Sequence, residues 1–113
     1  MHEMSICRNL LGIVVGHAEQ HKVDRVLEVN VELGALRGIV PDYLRYYFDL
    51  LKKDTVADGA TLNIDSVPGE AECDDCETRF TLDDGNVTCP NCASKHIRIV
   101  AGRELRVKTI RVE

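Results

Sequence analysis

Along residues 4–21 the apolar positions recur with a helical period. Ile6, Leu10, Ile13, Val14, His17 and His21 stand at i, i+4, i+7, i+8, i+11 and i+15, and Cys7, Leu11 and Ala18 widen the stripe. This spacing predicts an amphipathic helix. The period then changes. Over residues 26–33, Leu27, Val29, Val31 and Leu33 alternate with Glu28, Asn30 and Glu32, which predicts a half-buried strand. Gly34 and Gly38 punctuate the loop that follows. A second helix is predicted from about Pro41, because proline is tolerated in a first turn whose N–H has no partner anyway. Its buried face is Leu44, Tyr47, Phe48 and Leu51. Asp58-Gly59 reads as a turn, and Ala60, Leu62 and Ile64 alternate as a second strand that ends at Pro68-Gly69.

Residues 70–96 break with this pattern. Apolar content falls, acids rise, and four cysteines appear as Cys73-x2-Cys76-x12-Cys89-x2-Cys92. The stretch has too little apolar surface to fold unaided. Beyond it, residues 97–100 and 104–112 return to strand-like sequence around Gly102. The last strand shifts phase between Leu105/Val107 and Ile110/Val112, which predicts a bulge near Lys108-Thr109. The expected architecture is α+β: two helices packed on a small sheet, with a four-cysteine zinc-ribbon subdomain inserted before the final strand. Residues 1–70 with 101–113 form one domain in this reading, and residues 71–100 the other.

The chain has 113 residues, 44% hydrophobic and 29% charged, which is the size and composition of an ordinary soluble domain with at most a small appendage. About 60–70% of its unfolded surface can be buried at this length. No apolar run approaches the roughly 18 residues that span a bilayer. Glu3 and Arg8 interrupt any signal-peptide pattern, so a cytoplasmic location is expected. A reducing cytosol favours metal binding over disulfides for paired CxxC units. The net charge of −5 argues against non-specific nucleic-acid binding, which needs a basic surface to displace counterions. Lys95, Arg98, Arg103, Arg106, Lys108 and Arg111 do cluster late, at positions read as solvent-facing.

Each Cys-x2-Cys makes a tight turn that aims two sulfurs at one point, and two such turns complete a tetrahedron suited to zinc. The separation leaves room for a hairpin around Asp83-Asp84-Gly85-Asn86. Four protein sulfurs leave no open position, so the site reads as structural. Iron, as in a rubredoxin-like carrier, is the alternative. Neither pair carries a glycine after its second cysteine, and the chain has no tryptophan to shield a redox centre.

The first three residues carry different chemistry. His2 is bulky, so Met1 is expected to be retained with its free α-amine. That amine, the His2 amide nitrogen and the His2 imidazole can form fused chelate rings, a set suited to square-planar Ni(II) or Cu(II). Glu3 can add a donor, or simply favour a helix N-terminus. A terminus also supplies the exchange that a transfer site needs, since chain ends fray unless tied down.

Met1-His2-Glu3-Met4-Ser5 opening a helix resembles the HypA/HybF family of hydrogenase nickel-insertion proteins. So do Gly34-Ala35-Leu36 with Val40-Pro41-Asp42, Phe48-Asp49-Leu50-Leu51, Ala57-Asp58-Gly59-Ala60-Thr61-Leu62, the CxxC pairs and Gly102-Arg103-Glu104-Leu105. The resemblance covers essentially the whole chain. It implies a nickel metallochaperone, not an enzyme, with His2 as principal nickel ligand supported by Met1 and Glu3, and with Cys73, Cys76, Cys89 and Cys92 on zinc. The implied partners are the nickel-handling GTPase of hydrogenase maturation and the precursor of the [NiFe]-hydrogenase large subunit. A homodimer is compatible with it. Asp42 and Asp58 stand where the family commonly has Glu, and Lys53-Asp54-Thr55 replaces a Gly-Thr turn; neither departure touches a ligand.

Other residues invite a role. His17 and His21 have chelating i, i+4 spacing, yet also extend the apolar stripe near a helix end. Cys7 reads as a small core residue rather than a soft ligand. His96 could approach the zinc and exchange with a cysteine, although four thiolates fill the shell. Tyr43, Tyr46 and Tyr47 read as core and interface. The rival functions are a zinc-ribbon adaptor binding protein or nucleic acid without nickel transfer, a rubredoxin-like redox protein, and a zinc hydrolase, which an all-thiolate shell disfavours.

Overall fold

A computed structural model describes residues 2–82 and 87–113, with the side chain of His2 outside the description. The expected Asp83–Asn86 turn therefore lies outside the described residues. Elements follow in the order α1 (His2–Gln20), β1 (Val26–Gly34), a turn of 3-10 helix (Ala35–Arg37), α2 (Pro41–Leu51), β2 (Thr61–Val67), β3 (Glu70–Cys73), β4 (Arg79–Thr81), β5 (Ile97–Ala101) and β6 (Leu105–Val112). The strands form two three-stranded sheets, ordered β2-β1-β6 and β4-β3-β5. The chain divides into two compact units: Met1–Glu32, Gly38–Asp65 and Leu105–Glu113 make the first, and Leu33–Arg37 with Ser66–Glu104 the second. The α+β class holds, with two helices, small sheets and a four-cysteine ribbon.

In the first unit α1 packs against α2 and β6. Its buried face is Cys7, Leu10, Leu11, Val14 and Ala18, at i, i+3, i+4, i+7 and i+11. The stripe is thus rotated from the expected one: Ile13 is 53% exposed, and His17 and His21 face solvent. Small Cys7 and Ala18 sit at the centre because they admit the close approach of a neighbouring element; the Cys7 thiol donates to the Leu44 carbonyl of α2 at 3.0 Å. Burial pushes that thiol up to about 11, helped by the Glu3 charge and opposed by a backbone hydrogen bond from Phe48. Cys7 is therefore an inert core group.

Helix α1 ends in a paired backbone motif. Val23 N–H reaches Ala18 O at 2.8 Å, Lys22 N–H reaches Glu19 O at 3.3 Å, and Lys22 adopts φ +54°. These are the 6→1 and 5→2 bonds of a Schellman cap, with lysine in the left-handed position that glycine usually takes. On α2, Leu44 and Phe48 are buried, with Tyr47 and Leu51 half-buried, as the spacing predicts. Tyr43 and Tyr46 are exposed instead, because they fall on the opposite face of the same helix. Asp54 takes a left-handed φ of +64° where the chain leaves α2, so the Lys53-Asp54-Thr55 turn keeps a conformation glycine would favour. In β1 the buried positions are Val26, Val29, Val31 and Leu33. Val26 is buried in place of the expected Leu27, which is half-buried; the Val26 N–H donates to Val56 O at 3.0 Å as the strand begins. Along β6, Lys108 and Thr109 are both exposed while Leu105, Val107 and Ile110 are half-buried, so the alternation slips at that pair.

The second unit is held by two features. The first is a close backbone crossing. A Cβ on Gly34 would stand 2.0 Å from Gly102 O and 2.6 Å from Arg103 N. Gly34 N–H donates to Glu104 O at 2.6 Å, Leu36 N–H to Gly102 O at 2.9 Å, and Arg37 Nε to Arg103 O at 2.8 Å. Leu36 covers the crossing, its side chain lying against Gly69 and Gly102. The second feature is a repeated turn. Glu77 N–H donates to Cys73 O at 2.9 Å and Cys73 N–H to Thr78 O at 2.9 Å; Ala93 N–H donates to Cys89 O at 2.8 Å and Cys89 N–H to Ser94 O at 2.9 Å. Each loop turns back through a left-handed residue, Glu77 at φ +63° and Ala93 at φ +61°. The two cysteine pairs therefore share one backbone conformation. Around them β3 pairs antiparallel with β4 and with β5; β5 falls where the sequence predicts a strand, whereas the acidic sequence does not predict β3 and β4.

Two outcomes follow from this geometry. Gly34→Ala should lower the unfolding free energy by about 3 kcal/mol, since the clash is with backbone that cannot rotate away; a denaturation midpoint equal to that of the parent protein would contradict the crossing. Ala93→Gly should instead stabilise the ribbon by roughly 0.5–1 kcal/mol, the relief of left-handed strain less the entropy glycine adds to the unfolded chain. Thermal unfolding of the metal-loaded protein reads the sign directly.

Candidate metal centre

Strand β3 delivers Cys73 at its end, and the first turn brings Cys76 round to the same side. The second turn does the same for Cys89 and Cys92. All four Sγ atoms lie within 4.8 Å of one another. Cys73 and Cys92 approach to 3.6 Å, and Cys76 and Cys89 to 3.5 Å. A tetrahedron with metal–sulfur bonds of about 2.3 Å has edges of about 3.8 Å. The sulfurs are too far apart for disulfides, whose S–S bond is about 2.05 Å, and near the separation a zinc tetrahedron needs. Among the described residues this is the only convergence of three or more metal-ligating groups.

The electrostatics agree with the geometry. The Cys76 thiol is lowered to about 6, chiefly by the Thr78 hydroxyl 3.2 Å away and the Asn91 side-chain amide at 3.6 Å. The Ser94 backbone bond pulls Cys92 down, but the neighbouring thiols Cys73, Cys76 and Cys89 together with desolvation carry it up to about 12. Like groups crowded into one site cannot all ionise in the absence of a cation. Asn91 N–H also points at Cys89 Sγ, 3.4 Å away. Such N–H and O–H donors stabilise thiolates once the ion is bound.

A polar clamp ties the two turns together outside the sulfurs. The Asp75 carboxylate, in the first turn, accepts from the Ser94 hydroxyl and lies 3.3 Å from His96 Nδ1, both beyond the second turn. Ser94 first and His96 second hold Asp75 below the usual carboxylate range. Asp74 N–H donates to His96 O at 2.8 Å, and Arg98 bridges Asp74 at 2.9 Å and Glu72 at 2.7 Å. His96 is thus turned toward Asp75 and is absent from the converging group. The spacing Asp75–Ser94–His96 carried no sequence signal; a serine and a histidine just past the second pair were its only trace.

The remaining predicted residues lie in the first unit. Met1 is outside the described residues. His2 opens α1, and Glu3 occupies its first turn, half-buried, where a carboxylate meets the positive end of the helix dipole. His17 and His21 are neighbours, with ring centres 5.0 Å apart. Tyr46 and Tyr47 meet edge to face at 5.4 Å.

Comparison with known proteins places this architecture. A family profile described as hydrogenase/urease nickel incorporation, metallochaperone, hypA matches residues 1–112. The chain is 43% identical to the hydrogenase maturation factor HypA of Geobacter sulfurreducens and 41% identical to the hydrogenase maturation factor HybF of Klebsiella pneumoniae, each over 113 residues and the full length of both chains. A solution structure of HypA protein superposes with a TM-score of 0.77 at 25% identity, covering 100% of this chain and 97% of that one. The solution structure of the nickel metallochaperone HypA from Helicobacter pylori shares the fold, with a TM-score of 0.70 at 24% identity over 97% of this chain and 96% of that one. These names are those of maturation factors and metallochaperones rather than enzymes. Matched along its length and carrying its four cysteines at one point, the chain belongs to the HypA family of hydrogenase/urease nickel-incorporation metallochaperones.

Proposed function

We propose that this protein receives Ni(II) at its N-terminus and delivers it during maturation of [NiFe]-hydrogenase, while zinc on Cys73, Cys76, Cys89 and Cys92 holds its second domain folded. The observation that carries the reading is the family match from residue 1 to residue 112, which begins on Met1-His2-Glu3. His2 is the principal nickel ligand through its imidazole and amide nitrogens, Met1 adds the α-amine, and Glu3 supports with its carboxylate. A few nitrogen donors leave positions free on the ion, so an incoming ligand can bind before the outgoing one departs. That is the coordination chemistry a donor of metal requires, and the opposite of the closed sulfur shell.

The functional division follows the same logic: residues 1–70 with 101–113 handle nickel, and residues 71–100 hold zinc. Two properties support zinc as the resident ion. The donor set is soft and all-sulfur, and the sulfurs already stand near tetrahedral spacing. The ion's share is folding energy, about 10–16 kcal/mol in small zinc domains. The partners are the nickel-handling GTPase of hydrogenase maturation and the large-subunit precursor, met in the cytoplasm. No described helix is long and apolar enough to cross a membrane.

Calorimetric titration of Ni(II) into zinc-loaded protein with its native, untagged N-terminus should reveal a tight equivalent per chain. His2→Ala should abolish that tight phase and keep the zinc; superimposable isotherms for the two proteins would sink the N-terminal assignment. Removing the zinc with a chelator, or replacing Cys76 by Ser, should collapse the amide NMR signals of residues 70–101 while those of α1 and α2 persist. Retained dispersion across residues 70–101 in metal-free protein would show that zinc is not structural.

A further inference from the structure

The C-terminal end of α1 carries chemistry that the nickel reading leaves unused. His17 and His21 are both exposed, one helical turn apart, with ring centres 5.0 Å apart and ring planes at 50°. Two imidazoles that share one ion at about 2.1 Å, in cis-octahedral or tetrahedral positions, put their ring centres about 4.5–5.2 Å apart. The observed separation falls in that window.

The backbone fixes this spacing. His21 N–H donates to His17 O at 3.1 Å, so the helical turn between them is closed. His21 is the last residue before the Schellman cap formed by Lys22 and Val23, and that cap locks the turn in place. On one side His17 forms part of a groove of about 220 Å³ whose walls include Ile13, Val107 and Ile110. Apolar walls lower the local dielectric and strengthen a metal–nitrogen bond against water. Lys108 also lines the groove, and its ammonium leans toward Asp65, 3.9 Å away.

We propose that His17 and His21 form a second site for a divalent transition metal, one that takes Ni(II), Cu(II) or Zn(II) through two neutral imidazoles. Fifteen residues of helix at about 1.5 Å each separate His17 from His2 by roughly 22 Å, so one ion cannot bridge the two sites. Two protein ligands leave the rest of the coordination sphere to water, and the site is weaker than a chelate with three or more donors. Imidazole pairs at i, i+4 on one helix face are a recurrent metal-binding arrangement.

The test uses full-length, zinc-loaded protein carrying His2→Ala, with Ni(II) alone as the probe. Calorimetry should show a weak equivalent per chain. Adding either His17→Gln or His21→Gln should reduce its affinity at least about tenfold, the scale on which even outer-shell changes act on metal sites. Paramagnetic Ni(II) should also broaden the His17 and His21 ring signals before any others in the first unit. Both substitutions are on the surface, so the NMR spectra should otherwise be unchanged. Absence of any nickel uptake by His2→Ala, or residual uptake indifferent to both glutamines, would overturn the site. In the protein with an intact His2, His17→Gln should remove only the weak phase, which separates failure of this site from failure of the N-terminal one.

Discussion

The second unit has almost nothing to fold around except its own sulfur. Its buried cluster is Ala71, Cys73, Phe80 and Cys89, with Cys76, Leu82 and Ile97 packed against it. Of those seven side chains, three are metal-ligating cysteines. Burying Ala71 and Phe80, with Leu82 and Ile97 partly covered, removes too little apolar surface to offset the entropy of ordering the 44 residues of Leu33–Arg37 and Ser66–Glu104. On the proposed reading the remaining stabilisation comes from bonds to an ion. Folding of this unit and occupancy of its site are therefore one equilibrium. The first unit differs in kind: Leu10, Leu11, Val14, Val29, Val31, Leu44 and Phe48 give it an ordinary hydrophobic core.

That dependence explains why the ribbon is built twice over from one turn. A closed tetrahedron tolerates little error in sulfur placement, so each pair must hold its cysteines without help from a packed core. The repeated backbone bonds around Cys73 and Cys89 do this locally. The left-handed residues Glu77 and Ala93 are the strain each turn accepts. The Asp75–Ser94–His96 contacts then fix one turn against the other, and Arg98 on β5 ties Glu72 and Asp74 to the strand that follows the second turn. Exposed ion pairs of this sort contribute little singly. Here their value is geometric, because they act across the two halves of one coordination shell.

How far the sequence could be read depended on what held each element. The helices and the strands of the first unit follow apolar periodicity, and both helices fall close to the predicted limits. The rotation of the α1 stripe was harder to see: Ile6, Leu10, Ile13 and Val14 fit either of two adjacent faces. Small Cys7 and Ala18, which admit close packing, decide between them, and hydrophobicity alone gives them little weight. In the ribbon the four cysteines were legible at once, whereas β3 and β4 were not, since Glu70-Ala71-Glu72-Cys73 and Arg79-Phe80-Thr81 are ordered by a metal site rather than by apolar area. Gly34 and Gly102 were visible only as punctuation. Their contact is a backbone crossing between residues sixty-eight positions apart, which no local pattern encodes.

The two kinds of metal chemistry proposed for this chain make opposite demands. A structural ion is held by four converging sulfurs whose turns, hydrogen bonds and clamp all resist departure. A transferred ion needs fewer ligands, borne where an acceptor can reach them. Among the described first-unit histidines, His17 and His21 sit on the surface of a helix end, where an acceptor can reach them. Nitrogen donors and open positions suit Ni(II), while the thiolate shell suits zinc. On the proposed reading, cargo and scaffold differ in donor type and in the number of positions each site leaves open.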